Sequence, residues 1–418
     1  MSTKSDASAK RGAKRSFPWS LPATMPAWLE VFIVFLRLGV TSFGGPVAHL
    51  GYFRGEFVER RKWLDEHAYS DIVALSQFLP GPASSKVGMT IGLLRAGWGG
   101  MAAAWIAFTL PSALILMLFG MGLARYAGIA DSGVVHGLKI VAVAIVAQAV
   151  WGMGKSLCPD KPRAMLAVAA TLLTLVLPTA WSQVGAIVAC GLVGATLLKM
   201  PPRPMPSMAT LNVSRRSGVV AIVLFLLLLL ALPLWASLSG HALLAQFAGF
   251  YRAGALVFGG GHVVLPLLQS TAVSSGMVSN ADFLAGYGAA QAVPGPLFTF
   301  AAFLGAVSNG PLTGWAGGFL MLVAIFLPAA LLVVAALPFW NLLRNRPGIQ
   351  NTVAGINAGV VGILLSALYN PVWTSAIGTP LDFGLALLCF ALLVVMRWSP
   401  LAIVAIGAFG GWAMGMLG

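Results

Sequence analysis

Two arginines and two Pro-Gly-Pro tripeptides are the groups in this chain best placed to do chemistry, and the chemistry they suit is holding an anion. Arg37 and Arg252 each sit inside an otherwise apolar stretch. An arginine near the centre of a bilayer costs at least about 2.5 to 3.5 kcal/mol on insertion scales, so each should face protein or water. Two roles fit: gripping an anion held between two halves of the chain, or pairing with backbone carbonyls and snorkelling to the surface. Pro80-Gly81-Pro82 and Pro294-Gly295-Pro296 cannot continue a helix, because each proline lacks an N–H and disfavours helical angles in the residue before it. At membrane depth such a break survives only where its freed backbone groups face protein or a watery cavity. The helix that restarts there points its N–H groups and positive dipole end at that cavity, where an anion belongs. After the first break come Ala83, Ser84, Ser85 and Lys86, two hydroxyl donors and a cation that the dipole disfavours unless an anion is near. After the second come Leu297, Phe298 and Thr299, so the two half-sites are chemically unequal. The alternative for either break is a kink that serves packing alone.

Other candidates surround these. Gly44-Gly45 and Gly259-Gly260-Gly261 would interrupt helices beside the two arginines and offer N–H groups from an unwound turn, although glycine also serves close packing in membrane helices. His49, His262 and His136 are either proton carriers or structural groups. Glu30 and Asp71 are acids beside apolar runs, candidates for pairing Arg37 or Lys86 or for coupling protons. Asp282 and Asp382 read as helix-start residues. The tryptophans, Trp28, Trp98, Trp235, Trp315 and Trp398 among them, fall at segment ends as interfacial anchors do. Ser84-Ser85 has no base beside it in sequence, which argues against a membrane-embedded enzyme acting on lipid phosphates. The three cysteines, Cys158, Cys190 and Cys389, lie too far apart for a disulfide framework or a zinc site, and no metal or cofactor is expected.

The elements that must position these groups are membrane helices. Of 418 residues 59% are hydrophobic and only 9% charged, against roughly 25% charged in soluble domains. With a mean hydropathy of +0.90, a soluble fold, disorder and a coiled coil are excluded. The net charge of +14 comes from cations placed singly between apolar segments, which orients a membrane protein and does not imply nucleic acid. Apolar runs occupy about 27–44, 70–94, 97–124, 134–156, 164–179 and 183–199, then 218–237, then 243–261, 282–308, 314–337, 348–369, 382–396 and 399–417. The fold class is therefore an all-α polytopic membrane protein of about thirteen apolar segments. Residues 1–26 form a basic, proline-punctuated tail expected to be disordered, cytoplasmic and retained, since no signal-peptide pattern follows it.

The chain looks duplicated. Phe35-Leu36-Arg37-Leu38-Gly39 with Phe43-Gly44-Gly45 recurs as Phe250-Tyr251-Arg252-Ala253-Gly254 with Phe258-Gly259-Gly260, an offset of 252 − 37 = 215. Gln77 with Pro80-Gly81-Pro82 recurs as Gln291 with Pro294-Gly295-Pro296 at 214, and Gly97-Trp98 with Pro111 recurs as Gly314-Trp315 with Pro328 at 217. The single run at 218–237 between two six-segment halves inverts the second copy. Counting cations supports this: Arg95, 155–163, 199–216, Arg344, Arg346 and Arg397 all fall on the side of the tail. The segment 47–69, with Arg54, Arg60, Arg61 and Lys62, fits only if the first two segments of the first half are re-entrant hairpins, which is the reading adopted; the first two segments of each half carry the same ambiguity between spanning and re-entry.

These patterns resemble the chromate ion transporter (CHR) family in its long, two-domain bacterial form. The resemblance is carried by Leu36-Arg37-Leu38-Gly39, Thr41 to Pro46, Ala48-His49-Leu50, Trp63-Leu64 and Gln77 to Ser85, and in the second half by Phe258 to His262 and Gln291 to Pro296. It implies a first CHR repeat at 27–200, a cytoplasmic linker at 201–217, a connecting transmembrane helix at 218–237 and a second repeat at 238–418. It also implies an inner-membrane exporter of chromate that confers chromate resistance, with sulfate or another oxyanion as the alternative substrate. Its partners would be a chromate- or sulfate-like dianion and the lipid bilayer, in a monomer or homodimer. Moving a dianion out of a cell that is negative inside releases about 2 × 2.3 = 4.6 kcal/mol per 100 mV, so membrane potential or proton exchange can drive export without ATP. No Walker-type phosphate loop is present. The expected anion contacts are Arg37, Arg252, Gly44, Gly45, Ser84, Ser85, Lys86, Gly259, Gly260 and Thr299.

Overall fold

Helices follow from the long apolar runs, and their ends from prolines, glycines and caps. The structure, a computed structural model, describes residues 25–125, 133–199, 213–258, 261–340 and 346–417. Most of the expected tail, most of the linker, Arg344, Gly259 and Gly260 lie outside the described residues. The first half holds α1 (Ala27–Thr41), α2 (Gly45–Arg54), α3 (Glu66–Phe78), α4 (Ala83–Arg125), α5 (Gly133–Leu157), α6 (Lys161–Val176) and α7 (Ala180–Leu197). Helix α8 (Arg215–Ser239) follows. The second half holds α9 (Ala242–Leu256), α10 (Val264–Ala272), α11 (Asn280–Ala292), α12 (Phe300–Ala306), α13 (Gly314–Ala336), α14 (Pro347–Ala367), α15 (Pro380–Val394) and α16 (Pro400–Leu417). No strand occurs among the described residues.

Five helical stretches among the described residues are long and apolar enough to cross a bilayer: Ala83–Arg125, Gly133–Leu157, Arg215–Ser239, Gly314–Phe339 and Gly348–Ala376. Shorter apolar helices accompany them. At 15 residues, α1 and α9 would each be only about 22 Å long, less than the roughly 30 Å of a hydrocarbon core. Helix α4 is two arms, because Ala96 and Gly97 leave helical angles and bend the chain between them. Helix α8 buries only 17% of its most apolar window, as suits a helix that turns its leucines outward toward lipid.

The two halves repeat one another's contacts. A Cβ on Gly39 would lie 2.8 Å from the Ala107 carbonyl oxygen, and one on Gly254 would lie 2.1 Å from that of Ile325, so in both halves the first helix touches backbone of the long one. The halves also grip each other reciprocally: α5 packs on α16, and α14 packs on α7. Small residues permit both contacts, Gly133 and Gly137 meeting Gly411 and Gly407, and Gly194 meeting Gly355. Reciprocal contacts of this kind are those that an approximate two-fold relation between the halves would give.

Asp282 and Asp382 do stand at helix starts, as the third helical residue: Ser279 and Thr379 are the N-caps, and each accepts a hydrogen bond from the aspartate's N–H.

Candidate functional site

The chain breaks where the prolines require it, and each break is tied to the opposite half. Gly81 has a φ of +100° and Gly295 a φ of +104°, values open to glycine and strained for other residues. The Gly81 N–H donates to the Val257 carbonyl at 2.6 Å, and the Gly295 N–H donates to the Ser42 carbonyl at 2.9 Å. These are one interaction made twice, since 295 − 81 = 214 and 257 − 42 = 215.

Around this crossing, four helix starts meet. His49 on α2 lies with Nδ1 3.3 Å from Ser84 Oγ on α4, which joins the start of α2 to that of α4. Gly261, where a short 3-10 turn leads into α10, faces Pro46 at the start of α2 and Leu297 beyond the second break, with distances of 3.5 and 3.7 Å to the position a Cβ would take. Each start carries unpaired N–H groups and a partial positive charge. Gly44, with a φ of +97°, is the N-cap of α2, and Gly45 is its first residue.

The side chains here are polar on the first-half side. Ser42, His49, Ser84, Ser85 and Lys86 are all buried. The Ser42 carbonyl accepts from His49 Nε2 at 3.1 Å as well as from Gly295. Because a carbonyl only accepts, Nε2 carries the proton, and neutral His49 accepts at Nδ1 from the Ser84 hydroxyl. Ser42 Oγ and Ser85 Oγ are buried hydroxyls without a hydrogen-bond partner, a costly state in an apolar interior. On the second-half side the matching positions are Val257, Phe298 and Phe300, and Thr299 spends its hydroxyl on the Pro296 carbonyl at 2.7 Å. His262 Nδ1 meets the Tyr287 hydroxyl at 2.7 Å.

Several expectations need correction. Lys86 does not point ahead of its helix: its ammonium donates to the carbonyls of Leu79 and, at 3.0 Å, Pro80, which the break frees at the negative end of α3. Glu30 pairs with Arg61 at 3.1 Å and Arg95 at 2.9 Å and so belongs to a charged cluster with Glu56 and Arg60, away from Lys86. Arg37 is exposed, on the face of α1 opposite buried Val34, Phe35 and Leu38, so it does not enter the buried convergence. Arg252 is half-buried and stacks on Trp181, its Cζ 5.8 Å from the ring centroid. Asp71 is buried on α3. His136 meets Asp382 at 2.7 Å. The missing base beside Ser84 is also supplied, by His49 from 35 residues away.

Sequence reasoning passed over Ser42 and Tyr287. Ser42 carried a usable signal, a small polar residue in an apolar run just before a double glycine; Tyr287 carried none.

A family model described as Chromate transporter matches this chain twice, over residues 29–195 and 244–412. The chromate transport protein of Pseudomonas aeruginosa is 26% identical over 405 residues, covering 92% of this chain and 91% of that protein. A probable chromate transport protein of Synechococcus elongatus is 28% identical over 339 residues, covering 80% and 82%. The chromate transport protein of Cupriavidus metallidurans is 26% identical over 388 residues, covering 91% of each. No solved structure matches the chain.

Proposed function

Because the chain belongs to the chromate transporter family, a family of membrane transporters, we propose that it exports chromate from the cytoplasm across the inner membrane, with the N-terminus cytoplasmic. The observation that carries this reading is the convergence of helix starts from both halves on buried, unpartnered hydroxyls. A tetrahedral dianion offers acceptor oxygens and negative charge, which is what free N–H groups, hydroxyls and positive helix ends lack. Ser42, Ser84, Ser85 and the Gly44-Gly45 turn are the contacts, and Lys86 braces the wall by donating to the Leu79 and Pro80 carbonyls. Thr299 and the 3-10 turn at Leu297 line the far side. Arg37 and Arg252 act at longer range by raising the potential. The halves are inverted repeats whose two-fold axis lies in the membrane plane, so that rocking one against the other exposes the convergence to each side in turn.

His49 supplies a way to couple the anion to a proton. While the ring is neutral, the Ser84 hydroxyl donates to Nδ1 and is turned away from the anion. Protonated, Nδ1 donates instead, Ser84 Oγ accepts, and its hydroxyl hydrogen is released toward the anion. Proton and dianion thereby favour one another's binding and leave together, so the net charge moved outward is −1, for which the potential supplies about 2.3 kcal/mol per 100 mV.

The test is chromate flux in proteoliposomes under an imposed potential, with sulfate as competitor. Saturable flux that follows the potential and falls at least tenfold in Ser85→Ala is the expected result. Sulfate that halves chromate flux at equal concentration would move the substrate to oxyanions in general. Absence of flux with correctly inserted protein would overturn the reading.

A further inference from the structure

One cavity lies beside the convergence and outside it. It has a volume of about 410 Å³ and runs between α2 and α3. Its α3 wall is made by Glu66, Tyr69, Ser70, Val73, Ala74 and Gln77, spaced as one face of a helix. One end is marked by Arg54 and Glu66; the other is at Gln77, three residues before Pro80, so the cavity runs about 16 Å along the helix toward the break. Leu50, next to His49, forms part of the α2 wall and accepts the Tyr69 hydroxyl at 2.6 Å.

The same place in the second half is filled. At offsets of 213 or 214, Arg54 becomes Leu267, Tyr69 becomes Phe283, Ser70 becomes Leu284 and Val73 becomes Tyr287. All four replacements are buried. Duplicated helices thus enclose a polar cleft in one half and a packed interior in the other, and the cleft runs along α3 in the direction of the polar break.

At the mouth Arg54 is exposed and held by two carboxylates, Glu66 at 2.8 Å and Glu59. Its hydrogen bond keeps the Glu66 carboxyl below the ordinary range. A guanidinium presents a planar fork of donors that suits an oxyanion as well as a carboxylate. We propose that the cleft between α2 and α3 is an access site for tetrahedral dianions, in which Arg54 exchanges Glu66 for the incoming anion before it passes along α3 to the break. This rests on the oxyanion-carrier reading above but adds a second site to it.

A latch and a binding site predict opposite patterns here. If the pair only holds α2 to α3, Arg54→Gln and Glu66→Gln break the same contact and act in the same direction. If Arg54 binds the anion, Arg54→Gln removes the ligand's partner while Glu66→Gln removes its competitor. The site is read with Ser70→Cys in a chain whose Cys158, Cys190 and Cys389 are replaced by alanine, reacted with a sulfonate-bearing methanethiosulfonate in the presence of sulfate. The expected result is that sulfate slows labelling, that Arg54→Gln raises the half-protecting sulfate concentration about tenfold, and that Glu66→Gln lowers it. KM for chromate flux should move in the same two directions. Labelling without sulfate protection, no labelling, or shifts of one sign in both variants would each overturn the access site. Protection that persists in a protein carrying no chromate flux would leave the access site standing and remove the chromate reading instead.

Discussion

The two halves of this protein share a backbone design and differ in what they hang on it. Both break at a left-handed glycine between prolines, and both tie the break to the other half through that glycine's N–H. Both press a glycine of their first helix onto the backbone of their long one. Yet the first half surrounds its break with Ser42, His49, Ser84, Ser85 and Lys86, and the second with Val257, His262, Phe298, Thr299 and Phe300. Backbone contacts admit few substitutions because a Cβ has nowhere to go, whereas side chains around a cavity can change freely once one copy suffices for binding. Duplication here supplies two similar frames that carry different side chains.

The most severe way to break the comparison is to attack the frame where both halves need it. Gly254→Ala would set a Cβ 2.1 Å from the Ile325 oxygen, and Gly39→Ala would set one 2.8 Å from that of Ala107. Because backbone must move in each case, both variants are expected to lose several kcal/mol of stability, Gly254→Ala the more. Melting in detergent followed by size-exclusion fluorescence checks this, and a Gly254→Ala protein as stable as wild type would mean the halves are not held as described. The next largest effect separates the halves. Losing a hydrogen bond to a charged ligand costs about 1.5 to 3 kcal/mol, or roughly 10- to 100-fold, so Ser84→Ala and Ser85→Ala should reduce chromate flux by that factor. Thr299→Val, whose hydroxyl is already spent on Pro296, should change flux by less than about threefold. Equal losses in the two halves would restore a symmetric site.

A third and smaller effect concerns how the corresponding ends are held. Glu30 ties Arg61 and Arg95 together in the first half, while its counterpart at an offset of 215 is Ala245. In the second half the region around Asn309 is closed by neutral bonds, the Asn309 N–H to the Met277 carbonyl at 2.8 Å and Ser308 Oγ to the Leu312 carbonyl at 3.0 Å. Glu30→Gln is expected to cost about 1 to 2 kcal/mol, because two of its partners are partly buried or stacked on Trp63. High salt should lower the melting temperature of the wild type more than that of Glu30→Gln, whose other ion pairs remain. An equal salt response in the two proteins would place the stabilising charges elsewhere.

Much of the frame was legible in the sequence, because prolines and glycines announce backbone geometry locally. Pro80-Gly81-Pro82 and its counterpart break the chain where read, and the inequality of Ser84-Ser85 and Phe298-Thr299 was visible by inspection. What could not be read was direction. Periodicity puts Arg37 on the same face of α1 as Glu30, but only the fold, which buries Val34, Phe35 and Leu38, turns that face away from the convergence. The place of Lys86 in the first turn points to an anion, yet the break that creates that turn also frees the Leu79 and Pro80 carbonyls behind it. His49 and Ser84 are 35 residues apart, and no local pattern links them; the fold alone makes them neighbours.

The smallest effect compares two helix starts that are not repeat counterparts, one local and one that touches the other half. Thr179 caps α7 in the first half and Thr379 caps α15 in the second, each accepting the N–H of the third helical residue, at 3.1 Å from Ser182 and 3.2 Å from Asp382. Removing such a cap costs about 1 kcal/mol, and if each helix end were isolated the two alanine variants would lose the same amount. They are not alike in what lies beyond. Asp382 also accepts from the Gly378 and Thr379 N–H groups at 3.0 and 2.9 Å and meets His136 of the first half at 2.7 Å. Thr379→Ala leaves those three contacts in place, so its cost should stay near about 1 kcal/mol and match that of Thr179→Ala within about 0.5 kcal/mol. If Thr379→Ala instead costs clearly more, and the excess disappears when His136→Gln is added, then the cap holds Asp382 for the other half, and even this local helix start is part of the contact between the two copies.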